Sequence, residues 1–129
     1  MVGWAASNTI DRQPAISALR NAVANRHPGR RLIIHTDRGC QYTSWDFRRE
    51  VASIGGIQSM SCTGTPYDNA CAETFFKTLK VECVDKAHFK TRKEAADAIA
   101  EYLLFYNRRR IHQSLDYLSP VDFERLFAA

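Results

Sequence analysis

Residues 31–42 read RLIIHTDRGCQY: an apolar run, Leu32-Ile33-Ile34, surfaces into a polar turn that carries His35, Asp37 and Arg38 ahead of Gly39. A run this apolar suits a strand inside a sheet. A rigid strand end that opens into a turn is a common seat of chemistry, and just as often a plain loop. What the rest of the chain places beside it decides between the two.

Outward from this stretch, strand and helix periodicities alternate. Residues 2–7 (VGWAAS) read as a short strand. Ile16, Leu19, Ala22 and Val23 share one face of a helix expected over about residues 14–25, and His27-Pro28-Gly29 ends it. Residues 31–36 form the next strand. Ser44 suits the N-cap of a helix through Ile54, which Gly55-Gly56 terminates. Residues 57–61 form a third strand, and residues 63–69 (TGTPYDN) carry every turn signal. A helix follows over about residues 70–84. Thr91 with Glu94 makes a capping box for a last long helix to about Arg109. Strand-helix-strand-helix-strand order argues for an α/β layer with part of its sheet parallel. At 129 residues the chain is expected to be one domain, residues 1–129.

Composition narrows the class. With 45% hydrophobic and 25% charged residues the chain has an ordinary globular balance. No stretch approaches the roughly 18 apolar residues of a membrane span, and no signal peptide is expected. Cys40, Cys62, Cys71 and Cys83 form no CxxC pair and flank no close pair of histidines. That spacing argues against zinc and for reduced thiols in a cytosolic protein. A net charge of +4 leans mildly towards polyanions.

The helix after the loop is the informative one. Ala72, Phe75, Phe76, Leu79 and Cys83 fall on one apolar face, with Glu73, Lys77 and Lys80 as a stripe beside it. The stripe suits a surface ion pair between Glu73 and Lys77. Such pairs are common, and spacing alone favours that reading; the stripe also suits a carboxylate that holds a metal above lysines that neutralise a phosphate chain.

Three segments, HTDRGCQYTS (35–44), SMSCTGTPYDNACAETFFKTLKVE (59–82) and YNRRRIHQSLDYLSP (106–120), together resemble the integrase core of bacterial insertion-sequence transposases, relatives of retroviral integrases. The match runs from VGWAAS to SPVDF. It implies an RNase H-like α/β fold with a mixed central sheet. Residues 38 to 72, 35 in all, separate Asp37 from Glu73, the spacing of the last two acids in this family's Asp, Asp, Glu triad. The resemblance therefore makes Asp37 and Glu73 catalytic metal ligands for Mg²⁺ or Mn²⁺ in a two-metal site. It lays Lys77 and Lys80 along the DNA.

Asp68 and Asn69 match the family's tripeptide before the glutamate, either as an Asx-type turn that shapes the loop or as direct site residues. His35, Gln41 and Tyr42 match as well, with core-edge and packing roles favoured, and Glu82 matches as ion-pair support. Arg108, Arg109 and Arg110 suit phosphate contact, packing on the catalytic helix, or a solvated helix end that complements the helix dipole.

The resemblance places residue 1 inside the third strand of the fold. The first strands, and the first aspartate with them, are then expected to lie outside this sequence, since Asp11 in NTIDRQP sits among turn residues. A chain so cut is expected to be inactive alone, and to self-associate through the open edge of residues 1–7. The implied function is metal-dependent DNA cleavage and strand transfer in transposition and integration. Its partners are transposon ends and target DNA, in the bacterial cytoplasm and without a membrane. The alternatives are a non-catalytic DNA-binding or assembly module, or an unrelated nuclease of the same fold.

Overall fold

The computed structural model describes residues 1–8, 11–62 and 64–127, and two compact units divide the chain: residues 2–73, and residue 74 onward together with Met1. Thr9 and Ile10 of NTIDRQP, and Thr63 at the start of the expected loop, lie outside the described residues.

In the first unit, α1 (Gln13–Arg26) starts where the Asp11 carboxylate accepts from the Gln13 N–H at 2.9 Å. It ends at His27, whose left-handed φ of 44° lets its N–H close on the Val23 carbonyl. The apolar run becomes β1 (Ile33–Thr36), followed by a single turn, α2 (Cys40–Thr43). Ser44 caps α3 (Trp45–Ser53) by accepting from the Phe47 N–H at 3.3 Å. Gly55, at φ 67°, reverses the chain into β2 (Ile57–Met60).

The two strands pair in parallel, Ile33 opposite Ile57 through Thr36 opposite Met60. One sheet face is covered: Ile34 packs on Ile16, Phe47 and Val51, with Leu19 and Tyr42 around them. Burying each of the three central side chains contributes about 1.5–3 kcal/mol. On the other face Ile33 and Ile57 remain 66% and 46% exposed.

Residues 2–7 are not a strand. A strand is defined by its ladder partner, and among the described residues this segment has none. It seats on α1 instead. Asn25 Nδ2 donates to the Val2 carbonyl at 3.1 Å and Asn21 Nδ2 to the Trp4 carbonyl at 2.9 Å. Gly3 lies so close to the helix that a Cβ there would stand 2.3 Å from the Ala22 nitrogen. The sheet edge expected to carry self-association at residues 1–7 is therefore not formed.

Helix α4 (Ala70–Leu79) follows a 3₁₀ turn at Pro66–Asn69, and the division between the units falls after Glu73. The helix expected to run evenly to residue 84 changes pitch at a π-helical turn, Lys80–Val84, closed by Asp85 N–H on the Lys80 carbonyl at 2.8 Å. On its expected apolar face Phe76 is 63% exposed, and Phe75 sets its ring edge-to-face on Tyr106.

In the second unit, α5 (Arg92–Arg108) is capped by Thr91, which accepts from the Glu94 N–H, while the Glu94 carboxylate reaches back to the Lys90 N–H. Tyr102 and Leu103 are its buried residues. A bridge between His112 and Leu118 and a short α6 (Pro120–Phe127), capped by Ser119, complete it.

Candidate active site at the end of strand β1

Asp37 is the first residue beyond β1. Its Oδ1 accepts from the Gly39 N–H at 2.8 Å, a local turn that aims the carboxylate outward. A Cβ on Gly39 would meet Asp37 Oδ1 at 2.9 Å and Gln41 Oε1 at 3.0 Å, so a side chain here would push against both groups. Asp37 is exposed, and its Oδ2 has no hydrogen bond among the described residues.

Tyr42 packs edge-to-face on Phe47, with ring centroids 5.3 Å apart. Burial, and then the charge of Asp37, push its phenol up from the usual value. It is a neutral, packed ring beside the carboxylate, and its carbonyl accepts from Gln58 Nε2 at 2.8 Å.

Ser61, 6% exposed at the exit of β2, gathers the neighbouring groups. Its hydroxyl accepts from Asn69 Nδ2 at 2.8 Å and lies 3.2 Å from His35 Nε2, while His35 Nδ1 lies 2.9 Å from the Ser59 hydroxyl. Its own N–H donates to the Thr36 carbonyl, and its carbonyl accepts from Arg38 Nε at 3.0 Å. Asp68 Oδ2 accepts from the Cys62 N–H at 3.1 Å. In this geometry Asp68 and Asn69 brace the loop against the strand exit. Spacing carries no signal for Ser61, because its side-chain partners Asn69 and His35 lie 8 and 26 residues away.

Glu73 stands exposed in the first turn of α4 and has no hydrogen-bond or ion-pair partner among the described residues; Lys77 and Lys80 are likewise exposed and unpaired. Among the described residues no three of His, Cys, Asp and Glu form a metal-holding group. Asp37 and Glu73 nonetheless offer what Mg²⁺ takes, one or two hard carboxylates with room left for water and phosphate.

A second polar cluster lies within the unit from residue 74 onward. Arg110 grips Glu82 with Nη2 on Oε1 at 2.7 Å and Nε on Oε2 at 3.0 Å, and Tyr102 donates its hydroxyl to Oε2 at 2.7 Å. The guanidinium lies 5.5 Å from the Tyr106 ring centroid, and its Nη1 donates to His112 Nδ1 at 3.3 Å. Arg110 foremost, aided by Tyr102, holds the Glu82 carboxyl down to about 2. Burial, and then the Arg110 charge, lower His112. Of the three arginines expected to contact phosphate, pack or cap a solvated helix end, Arg110 is engaged in packing, and Arg108 and Arg109 are exposed.

Two family models, each described as integrase core domain, match residues 1–66 and 73–126. The chain is 44% identical over 126 residues to the transposase for insertion sequence element IS904 of Lactococcus lactis subsp. lactis (strain IL1403), covering 97% of this chain and 50% of that protein. It is 41% identical over 125 residues to transposase InsF for insertion sequence IS3A of Escherichia coli (strain K12), covering 96% and 43%. The chain thus spans about half the length of the curated relatives it matches. Its fold is shared with a chain of the cryoEM structure of the simian T-cell lymphotropic virus intasome in complex with PP2A regulatory subunit B56 gamma, at a TM-score of 0.62 and 22% identity, covering 82% of this chain and 37% of that one.

Proposed function

The chain belongs to the integrase core domain family, and on that footing we propose that it is the RNase H-like part of a transposase that cuts and joins DNA at Asp37 and Glu73. The observation that carries this reading is the Asn69–Ser61–His35 connection. It fixes the turn just before Glu73 to the strand that ends just before Asp37, within one compact unit, and leaves both carboxylates exposed.

Asp37 and Glu73 hold divalent metal, Mg²⁺ or Mn²⁺. The chemistry it supplies when bound is activation of the attacking oxygen and stabilisation of the leaving one in phosphodiester displacement. The Gly39 N–H keeps Asp37 Oδ1 in place and leaves Oδ2 facing outward. The Tyr42 phenol, packed on Phe47 and raised by burial and then by the Asp37 charge, stays neutral beside the carboxylate. Lys77, Lys80 and Arg109 are exposed cations that neutralise backbone phosphates, an attraction indifferent to sequence and weakened by salt. The substrates proposed are transposon ends and target DNA.

The test is Mn²⁺ binding to the purified chain by titration calorimetry, with circular dichroism to check folding. Asp37→Asn and Glu73→Gln should each weaken binding by about tenfold or more and leave the fold intact. Folded variants that bind Mn²⁺ as the parent does would overturn the assignment.

A further inference from the structure

Arg38 follows Asp37 directly and is exposed, with its charge unspent. Its Nε donates to the Ser61 carbonyl at 3.0 Å. Among the described residues it forms no ion pair, either with the neighbouring Asp37 or with any other acid. Other arginines of the same unit are committed: Arg12 and Arg49 hold the Asp46 carboxylate, and Arg20 holds that of Glu50. Arg38 is tethered without being neutralised.

A guanidinium carries five N–H donors and no acceptor. The Ser61 carbonyl takes the one on Nε, and the four on Nη1 and Nη2 have no acceptor among the described residues. Those two groups make the end of the fork that meets two oxygens of a phosphate side by side. The bond to Ser61 also restricts the side chain before a ligand arrives, which reduces the entropy lost on binding. Ser61 is the residue that the Asn69 amide reaches from the turn before Glu73. The guanidinium is therefore tied to the joint that both carboxylate-bearing segments share. Lys77 and Lys80 are exposed point charges with no such tether. What suits the free end of Arg38 is an oxyanion, and beside two metal-holding carboxylates that oxyanion is a DNA backbone phosphate.

We infer that Arg38 is a phosphate clamp: its Nη1 and Nη2 grip one backbone phosphate of the DNA bound at Asp37 and Glu73. The inference rests on the reading of that site as the place where DNA is cut and joined. It sets Arg38 apart from Lys77, Lys80 and Arg109, because Arg38 contributes a fixed geometry as well as a charge.

Fluorescence anisotropy of a short labelled duplex tests this on the full chain, read without divalent metal at several salt concentrations, with thermal melts to check folding. Arg38→Gln keeps a donor for the Ser61 carbonyl and removes both the charge and the fork. It should weaken binding by about tenfold and lower the slope of log affinity against log salt by about 1. Arg38→Lys should restore the slope and leave most of the affinity lost, since an ammonium neutralises a phosphate without matching it bidentately. Mn²⁺ titration of the same variants should show affinity held within a few-fold, whereas Asp37→Asn loses it. If Arg38→Gln does not fold, Arg38→Lys decides by the same split between slope and affinity. Unchanged DNA binding in Arg38→Gln, full affinity in Arg38→Lys, or an equal loss of Mn²⁺ affinity in both variants would each overturn the clamp. Mn²⁺ binding indifferent to Asp37→Asn would instead overturn the site on which the clamp rests, a failure that the DNA measurements keep distinct.

Discussion

The side-chain amide of Asn69 donates to the Ser61 hydroxyl at 2.8 Å, and the same hydroxyl lies 3.2 Å from His35 Nε2. One buried serine thus joins the turn that launches the Glu73 helix to the strand that delivers Asp37.

Ser61→Ala removes that joint. It leaves the Asn69 amide without its acceptor, and the loss should be about 1–3 kcal/mol of stability in urea unfolding. Mn²⁺ affinity should fall as well, because the two carboxylates lose their common anchor. Unchanged stability and unchanged affinity together would show that the loop holds its position without Ser61.

Acid should weaken the cluster around Glu82. Its carboxyl sits at about 2 against 4.5 in the open chain, so the folded state holds the proton less tightly. The stabilisation is complete above about pH 4.5 and is lost as pH falls through about 2. The shift corresponds to about 3 kcal/mol at most. With 31% of the Glu82 and 27% of the Arg110 side chain exposed, about 1–2 kcal/mol should be measurable after solvent screening. His112, also lowered, adds a loss that begins as pH drops below its ordinary 6.5. Urea midpoints followed from pH 7 to 2.5 check the slope. Glu82→Gln should flatten its lower part.

Gly3→Ala should unseat residues 2–7. The added methyl meets the Ala22 nitrogen and the Ala18 carbonyl at 2.3 and 2.5 Å, backbone atoms that cannot give way, and overpacking of this kind costs about 1–3 kcal/mol. Limited proteolysis should then cut within the first residues of the folded chain. A variant as resistant as the parent would mean that the segment draws nothing from α1.

Lys77→Ala with Lys80→Ala should lower DNA affinity for all sequences alike. It should also reduce the slope of log affinity against log salt by about 2, one unit for each phosphate that is no longer neutralised. Filter binding at several salt concentrations reads both. A steep slope that survives the double substitution would remove this stripe from the DNA surface.

The elements legible in the sequence are those whose cause is local. Leu32-Ile33-Ile34 carries its strand in its own apolarity, and Ser44 and Thr91 announce α3 and α5 through bonds made three residues on. Residues 2–7 misled because pairing is decided by a neighbour, and the carbonyls of Val2 and Trp4 found side chains of α1. The pitch change at Lys80 was hidden because an apolar face drawn at a uniform 100° assumes the regularity it is meant to detect. Asp37 and Glu73 stood out through a family motif. Ser61 did not, since its importance lies in side chains gathered from three separate segments. Arg110 reads like Arg108 and Arg109 in the sequence, and only its grip on Glu82 separates them.

The π-helical turn at Lys80–Val84 has a consequence for chain length. Such a turn holds one more residue than an α-turn would, and Glu82 sits at its middle with Cys83 following, whose thiol reaches the Ala98 carbonyl at 3.8 Å. Deleting one residue there, Val81 for example, would let the hydrogen-bond ladder run on as a regular α-helix, at no loss of helical content. Every later side chain would then turn by about 100°, and the carboxylate gripped by Arg110 would face elsewhere. This stretch should therefore accept substitutions of Val81, which is 53% exposed, far more readily than its removal. What the turn preserves is a count of residues rather than their identity.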